Sequence, residues 1–75
     1  MKELVEIIAK ALVDHPEDVE VNEVVTEQSI TLQLKVASDD MGKVIGKQGR
    51  TAKAIRTVVK AASVKEEKKI LVEII

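Results

Sequence analysis

The chain has 75 residues, 45% of them hydrophobic and 33% charged, which is typical of a small folded domain. It has no cysteine and no aromatic residue, which excludes disulfides, thiolate metal sites and a surface that stacks bases on aromatic rings. The net charge of −1 conceals an asymmetry. Residues 1–39 hold three lysines and nine acidic residues, whereas residues 40–75 hold nine basic and four acidic residues. This basic half predicts an anionic partner or simply a solvated charged surface.

The length allows one domain, which we expect to cover residues 1–75. No apolar run approaches the 18 or more residues of a membrane span. The N-terminal segment carries Glu3 and Glu6 and has no small-residue cleavage site. We therefore expect neither a membrane span nor a secretory signal, and a cytoplasmic location.

Residues 2–13 have apolar side chains at helical spacing, filled in by strong helix formers. The predicted buried stripe comprises Leu4, Ile8, Ala11 and Leu12, widened by Val5 and Ile7. The helix should end at Asp14-His15-Pro16, because a residue before proline is pushed out of the helical region. His15 is therefore predicted to be an exposed turn residue.

Two strands are predicted next, at residues 19–25 and 29–36. The first places Val19 and Val21 on one face. The second is the most regular alternation in the chain, and its inward residues are Ile30, Leu32, Leu34 and Val36. The polar link 26–28 suits a hairpin, although it lacks the usual Asn-Gly turn signal.

The second half predicts two helices and a final strand. Residues 38–40 supply N-cap side chains for a short helix from Met41 to Ile45, and a longer helix follows the glycine interruption, from about Arg50 to Ala62. Its predicted buried face comprises Ala52, Ile55, Val58 or Val59, and Ala62. After a polar loop, the last strand at 69–75 places Ile70, Val72 and Ile74 on one face.

The predicted order is α-β-β-α-α-β, an α+β fold. The first two strands should pair antiparallel as a hairpin. The second and third are separated by more than thirty residues containing two helices, which favours parallel pairing through a right-handed crossover. We expect a three-stranded mixed sheet covered on one face by three helices.

All three glycines lie close together, at Gly42, Gly46 and Gly49, in a segment rich in basic residues. A Walker A loop requires four residues between its glycines, followed by Lys and Ser or Thr, but only three residues separate Gly42 from Gly46. A dinucleotide-binding fingerprint fails as well, because Gly-x-Gly is absent. Both nucleotide-binding motifs are excluded by spacing.

The remaining interpretation is a GxxG loop between two helices. Glycines at 46 and 49 would let a sugar-phosphate strand approach the main chain closely. The N-terminus of the following helix attracts phosphate, and Lys47, Arg50 and Lys53 add positive charge. Ile45 could offer an apolar shelf for bases. A GxxG sequence alone also occurs at ordinary tight corners between helices, so the combination with the basic helix and the topology carries the prediction.

The run Val44-Ile45-Gly46-Lys47-Gln48-Gly49-Arg50, with Ile55 following, resembles the signature of the KH domain. The element order resembles the type II KH fold, and the whole chain is similar to the KhpA family of small bacterial single-KH proteins. The resemblance implies a cytoplasmic, non-enzymatic protein that binds single-stranded RNA without a cofactor. It also implies self-association, a larger KH partner of the KhpB, Jag or EloR type, and RNA-level, chaperone-like regulation of cell elongation and division.

The resemblance also implies which residues contact RNA. Those matching the loop are Gly46, Lys47, Gln48 and Gly49, Ile45 would line the groove, and Lys43, Arg50 and Lys53 would flank it. The loop before the last strand would close the other side of the groove with Lys65 and Lys68, and Lys69 opens that strand.

Two other classes of function compete with RNA binding. Apolar residues of the second long helix (Val58, Val59, Ala61 and Ala62) would suit a protein-interaction or dimerisation module, with Ala61 outside the core stripe. An enzyme is disfavoured, because His15 has no evident partner. The Asp39-Asp40 pair is explained more simply as a cap on the following helix.

Overall fold

A computed structural model describes residues 1–75. Its helices and strands are α1 (Lys2–Leu12), β1 (Glu20–Val25), β2 (Ser29–Lys35), α2 (Met41–Ile45), α3 (Arg50–Ala62) and β3 (Lys69–Ile74). Single 3₁₀ turns occupy Pro16–Asp18, Ser38–Asp40 and Lys47–Gly49. This order confirms the predicted α-β-β-α-α-β arrangement. None of the helices combines the length and apolar character that a membrane crossing requires.

The three strands form one mixed sheet in the order β1-β2-β3. β1 and β2 pair antiparallel from Glu20 opposite Lys35 to Val25 opposite Ile30. Their turn is closed by Thr26, whose backbone N–H donates to the Ser29 carbonyl at 2.8 Å and whose hydroxyl accepts from the Ser29 N–H at 2.9 Å. A threonine side chain thus replaces the Asn-Gly signal that the sequence lacks.

β2 lies in the centre of the sheet and pairs parallel with β3. The paired residues run from Ser29 opposite Lys69 to Leu34 opposite Ile74. The crossover between these strands contains α2, the glycine loop and α3. The parallel pairing confirms the prediction, and α3 contacts β3.

The hydrophobic core lies between one face of the sheet and the helices. Leu32 and Leu34 of β2 are fully buried, and Val36 continues the same face. The helices contribute Val5 and Ala9 from α1, Val44 from α2, and Ile55 and Val59 from α3, while Val19 and Val21 complete the cluster beside β1. Ile70, Val72 and Ile74 of β3 pack against this cluster and are partly buried. The strand faces predicted from alternation are confirmed.

The predicted buried stripe of α1 was wrong in part. Val5 and Ala9 are fully buried, whereas Ile7 is 67% exposed and Leu12 is 38% exposed. Ala11 is exposed as well. α1 contacts β1, β2 and α3, and it meets them through the line of Val5 and Ala9. Because apolar residues cover more than half the circumference of this helix, periodicity alone did not fix which line faces the sheet.

In α3 the structure decides between two valines. Val59 is 1% exposed and joins Ala52 and Ile55 on the buried face, whereas Val58 is 45% exposed. Ala62, predicted to be buried, is exposed in the last turn. One 3.6-residue turn from Ile55 ends between Val58 and Val59, so periodicity leaves both open, and Val59 is the one that joins the core cluster.

Candidate nucleic-acid interface

The glycine loop begins where α2 ends. Gly46 has φ 75° and ψ 173°, a conformation that residues with a side chain avoid. Gln48 (φ 58°) and Gly49 (φ 74°) are both left-handed, and Gly49 leads directly into α3. Hydrogen bonds from the Gly46 N–H to the Gly42 carbonyl (2.8 Å) and from the Gly49 N–H to the Gly46 carbonyl (3.2 Å) hold the loop to α2. The loop is therefore a defined corner between two helices.

The two loop glycines are required for different reasons. A Cβ on Gly46 would lie 2.6 Å from the Thr51 Cβ and 2.9 Å from the Thr51 backbone nitrogen, so no side chain fits there. A Cβ on Gly49 would meet nothing within 4 Å, and only its positive φ favours glycine. Gly46 therefore lets the loop pack against the first turn of α3, and the open space at Gly49 leaves the main chain accessible to a ligand.

The first turn of α3 has no side-chain cap. The three basic residues beside it, Lys47, Arg50 and Lys53, are exposed, and none of them forms an ion pair with a carboxylate. The Arg50 Nη2 donates weakly to the Gln48 Oε1 at 3.4 Å. The positive end of a 13-residue helix without a side-chain cap and three cations without a carboxylate partner together favour a bound anion at this end of α3.

Ile45 and Lys43 lie on the other side of the loop, in α2. Ile45 is 38% exposed directly beside Gly46, so an apolar surface adjoins the cationic one. Lys43 differs from the other predicted cations, because its ammonium contacts the Asp14 carboxylate and lies 3.8 Å from the Asp40 Oδ1. The hydrogen bond to Asp14 raises the pKa of the Lys43 ammonium above its ordinary value.

Asp40 does not cap α2 with its side chain, which corrects the prediction for the Asp39-Asp40 pair. Its carboxylate is instead buried, and it accepts the backbone N–H groups of Asp14 (3.2 Å) and His15 (3.0 Å). Burial by itself raises the pKa of the Asp40 carboxyl, but those two hydrogen bonds and the nearby positive charge outweigh it, and the pKa lies below its ordinary value. The partners are about 25 residues away in sequence, which is why local pattern pointed to a cap.

A second set of basic residues, which sequence reasoning missed, lies further along α3. Arg56 and Lys60 line a cleft between α3, the 63–68 loop and the start of β3, together with Lys68 and Lys69. The Arg56 Nε donates to the Val72 carbonyl of β3 at 3.2 Å. Spacing could have found these residues, because Gly49, Lys53, Arg56 and Lys60 follow the i, i+4, i+7, i+11 positions of one helix face. Lys65 does not line this cleft.

The chemistry of the region is that of a binding surface. Backbone amides, cations and an apolar shelf can hold a phosphate-bearing strand and its bases. No three histidine, cysteine, aspartate or glutamate side chains lie close enough together to bind a metal ion. An α-β-β-α-α-β fold with a GxxG loop joining two helices defines a KH domain of type II.

Comparison with known proteins agrees with this class. The family model described as the KH domain of KhpA and KhpB matches residues 2–74. Over 75 residues the chain is 77% identical to the RNA-binding protein KhpA of Clostridium perfringens, with both chains covered completely. It is 57% identical to the protein of that name from Listeria monocytogenes (100% and 99% covered) and 54% identical to that of Bacillus subtilis (99% and 91% covered). The chain belongs to the KhpA/KhpB family of KH domains.

Proposed function

We propose that this protein binds single-stranded RNA in a groove beside the Gly46–Gly49 loop. The observation that carries the proposal is the loop itself. Its main chain is accessible at Gly49, it leads into a helix N-terminus without a side-chain cap, and the adjacent cations have no carboxylate partner. In this proposal the Gly46–Gly49 backbone and the Lys47 and Arg50 side chains contact phosphates.

The remaining contacts follow the faces of α2 and α3. Ile45 forms the apolar floor on which bases rest, and Gln48, linked to Arg50, offers an amide to the sugar or base. Lys53 extends the positive surface along α3 toward Arg56 and Lys60 at the β3 cleft. Single strands fit this groove better than duplexes, because unpaired bases can turn toward Ile45 while the backbone follows the loop.

Few phosphates meet the protein in this arrangement, and the chain has no aromatic residue for stacking. Affinity should therefore be modest and strongly dependent on salt, with a slope of about −0.7 per phosphate contacted in a plot of log K against log salt. The absence of stacking also predicts weak base preference, since electrostatic contacts carry no sequence information.

The test compares wild type with Lys47→Asp combined with Gln48→Asp, using fluorescence anisotropy with a short single-stranded RNA. We expect at least a tenfold loss of affinity, because two negative charges enter the loop where phosphate binds. The matched control is Lys2→Asp with Gln28→Asp, which changes the charge equally at two exposed positions outside the loop. Equal affinity of wild type and the folded loop variant would overturn the proposal.

We also propose that RNA binding serves RNA-level regulation in the bacterial cytoplasm, in a chaperone-like role linked to cell elongation and division. The resemblance to the KhpA family supports this step, and the small groove is compatible with many short targets. Crosslinking in cells followed by sequencing tests it. Enrichment of transcripts for elongation and division proteins is the expected result, and an unenriched sample of total RNA would contradict it.

A second candidate function, a protein-interaction module, is favoured by the outer face of α3. Val58 is 45% exposed, and Ala54 and Ala61 are exposed beside it, so the helix carries an exposed apolar flank that borders Arg50 and Lys53. We propose that this flank supports self-association or pairing with a larger KH protein of the KhpB, Jag or EloR type. Sedimentation equilibrium of wild type and Val58→Asp tests the first possibility. A monomeric wild type at all micromolar concentrations would exclude self-association.

A further inference from the structure

One cluster of charged groups lies outside the proposed groove. Asp40 is the only buried charged side chain of the protein, at 1% exposure. Its two carboxylate oxygens accept the N–H groups of Asp14 and His15, which form the corner after α1. The ammonium of Lys43 lies between the carboxylates of Asp14 and Asp40. The cluster therefore joins the α1 corner to the start of α2.

α2 depends on such tertiary contacts for its position. It has only five residues, far fewer than an isolated helix needs, and no side chain caps it. Val44 and Met41 pack in and against the core, and Asp40 binds the α1 corner at the N-terminal end of α2. The glycine loop follows α2 immediately, and the Gly46 N–H bonds back to Gly42 within α2. A shift at Asp40 would thus be transmitted to the loop.

We infer that Asp40 and Lys43 are positioning residues for the RNA-binding loop, and that Lys43 does not bind phosphate itself. The inference rests on the proposed function. Lys43 is placed by its partners, because its ammonium balances the buried carboxylate of Asp40 and contacts Asp14. Lys47, Arg50 and Lys53 have no such partners. The four lysines and arginines predicted to flank the groove therefore divide into one structural cation and three that face the ligand.

The salt dependence of RNA binding separates these roles. Lys47→Met should reduce the slope of log K against log salt by about 0.7, since one phosphate contact is lost. Lys43→Met should lower affinity by about threefold with an unchanged slope, and Lys43→Arg should restore affinity because the ion pairs are retained. A slope lowered equally by Lys43→Met and Lys47→Met would overturn the inference for Lys43.

Asp14→Asn provides a second test. If Lys43 is structural, Asp14→Asn should weaken RNA binding, but no more than Lys43→Met, which removes the contact with Asp40 as well. The double variant should be no worse than Lys43→Met alone, because the Lys43–Asp14 contact is already lost in it. If Lys43 were a phosphate ligand restrained by Asp14, Asp14→Asn would strengthen binding and steepen the salt slope. That result would contradict the inference.

A measurement without RNA distinguishes failure of this inference from failure of the proposed function. Hydrogen exchange of the Gly46 and Gly49 amides, both hydrogen-bonded in the loop, should accelerate about tenfold in folded Lys43→Met or Asp40→Asn. Exchange of the Leu32 and Leu34 amides in the central strand should change less. Unchanged exchange at both glycines would overturn the positioning role, whatever the RNA measurements give.

Discussion

The two ends of α2 carry charge in different ways. At the N-terminal end, the buried Asp40 receives two backbone N–H groups and lies beside Lys43, so its charge is balanced within the chain. At the C-terminal end, Lys47 and Arg50 lie beside an uncapped helix start and have no carboxylate partner. The difference indicates which charges maintain the fold and which are left for a ligand. Counting basic residues would have treated all of them alike.

The largest expected effect is on the free energy of unfolding, and it comes from substituting the glycines in α2 and in the loop that follows it. Gly46→Val should destabilise the protein by about 3 kcal/mol, because a side chain meets Thr51 and the backbone has positive φ. Gly49→Ala should cost about 1 kcal/mol from φ alone. Gly42→Ala, in open space within α2, should stabilise by about 0.5 kcal/mol. Urea denaturation measures the series, and equal effects at Gly46 and Gly42 would refute the distinction between the two ends.

The cations of the loop end are expected to affect binding without affecting stability. Arg50→Met and Lys53→Met should each weaken RNA binding by about threefold, while the free energy of unfolding stays within about 0.5 kcal/mol of wild type. Their ammonium and guanidinium groups form no ion pair that the fold requires. Anisotropy titrations measure the RNA affinity, and urea denaturation of the same samples measures the free energy of unfolding. A large loss of stability would place these residues with Lys43.

Low pH should weaken the contacts that Asp40 makes at the N-terminal end of α2. Asp40 has a lowered pKa in the folded state, so its contribution to stability is present above the ordinary carboxyl value of about 3.9 and is lost as pH falls through the folded value. The titratable side chains near Asp40 are Lys43 in α2, His15 in the corner, and Asp14, whose carboxylate contacts Lys43. Melting temperatures of wild type should therefore fall more steeply below about pH 4 than those of Asp40→Asn. Parallel melting curves for wild type and Asp40→Asn across that pH range would contradict this assignment.

Lys43 gives the complementary expectation at high pH. Its pKa is raised in the folded state, so its contribution is complete below the ordinary value of about 10.4 and is lost as pH rises through the folded value. In a plot of melting temperature against pH, Lys43→Met should reduce the decline at alkaline pH and leave the decline at acid pH unchanged. This measurement keeps the test available if Asp40→Asn does not fold.

The smallest expected effect is at Gln48, the only residue other than glycine with positive φ. Gln48→Gly should raise the free energy of unfolding by about 0.5 kcal/mol, since relief of the left-handed conformation slightly exceeds the added flexibility of the unfolded chain. Its contact with Arg50 is long, at 3.4 Å, and its loss should matter little for stability. Chemical denaturation with triplicate curves resolves this change, and a clear destabilisation would show that the Gln48 side chain holds the loop.

Most of the fold was predictable because its signals are local. Alternation in residues 29–36 identified the inward face of β2, and the glycines at 46 and 49 marked the corner between α2 and α3. The parallel pairing of β3 followed from the length of the crossover. Helical spacing also places Gly49, Lys53, Arg56 and Lys60 on one basic face. The part of that face formed by Arg56 and Lys60 became evident only from the cleft beside β3.

The amino-acid sequence by itself determined the order of helices and strands, the buried face of each strand and the position of the glycine corner, because periodicity and backbone freedom are properties of neighbouring residues. Only the tertiary structure decided that Val59 rather than Val58 enters the core, that α1 packs through Val5 and Ala9, and that Asp40 binds a corner about 25 residues away. These choices depend on which surfaces meet in space. A charged residue beside a helix start looks like a cap until its distant partners are known.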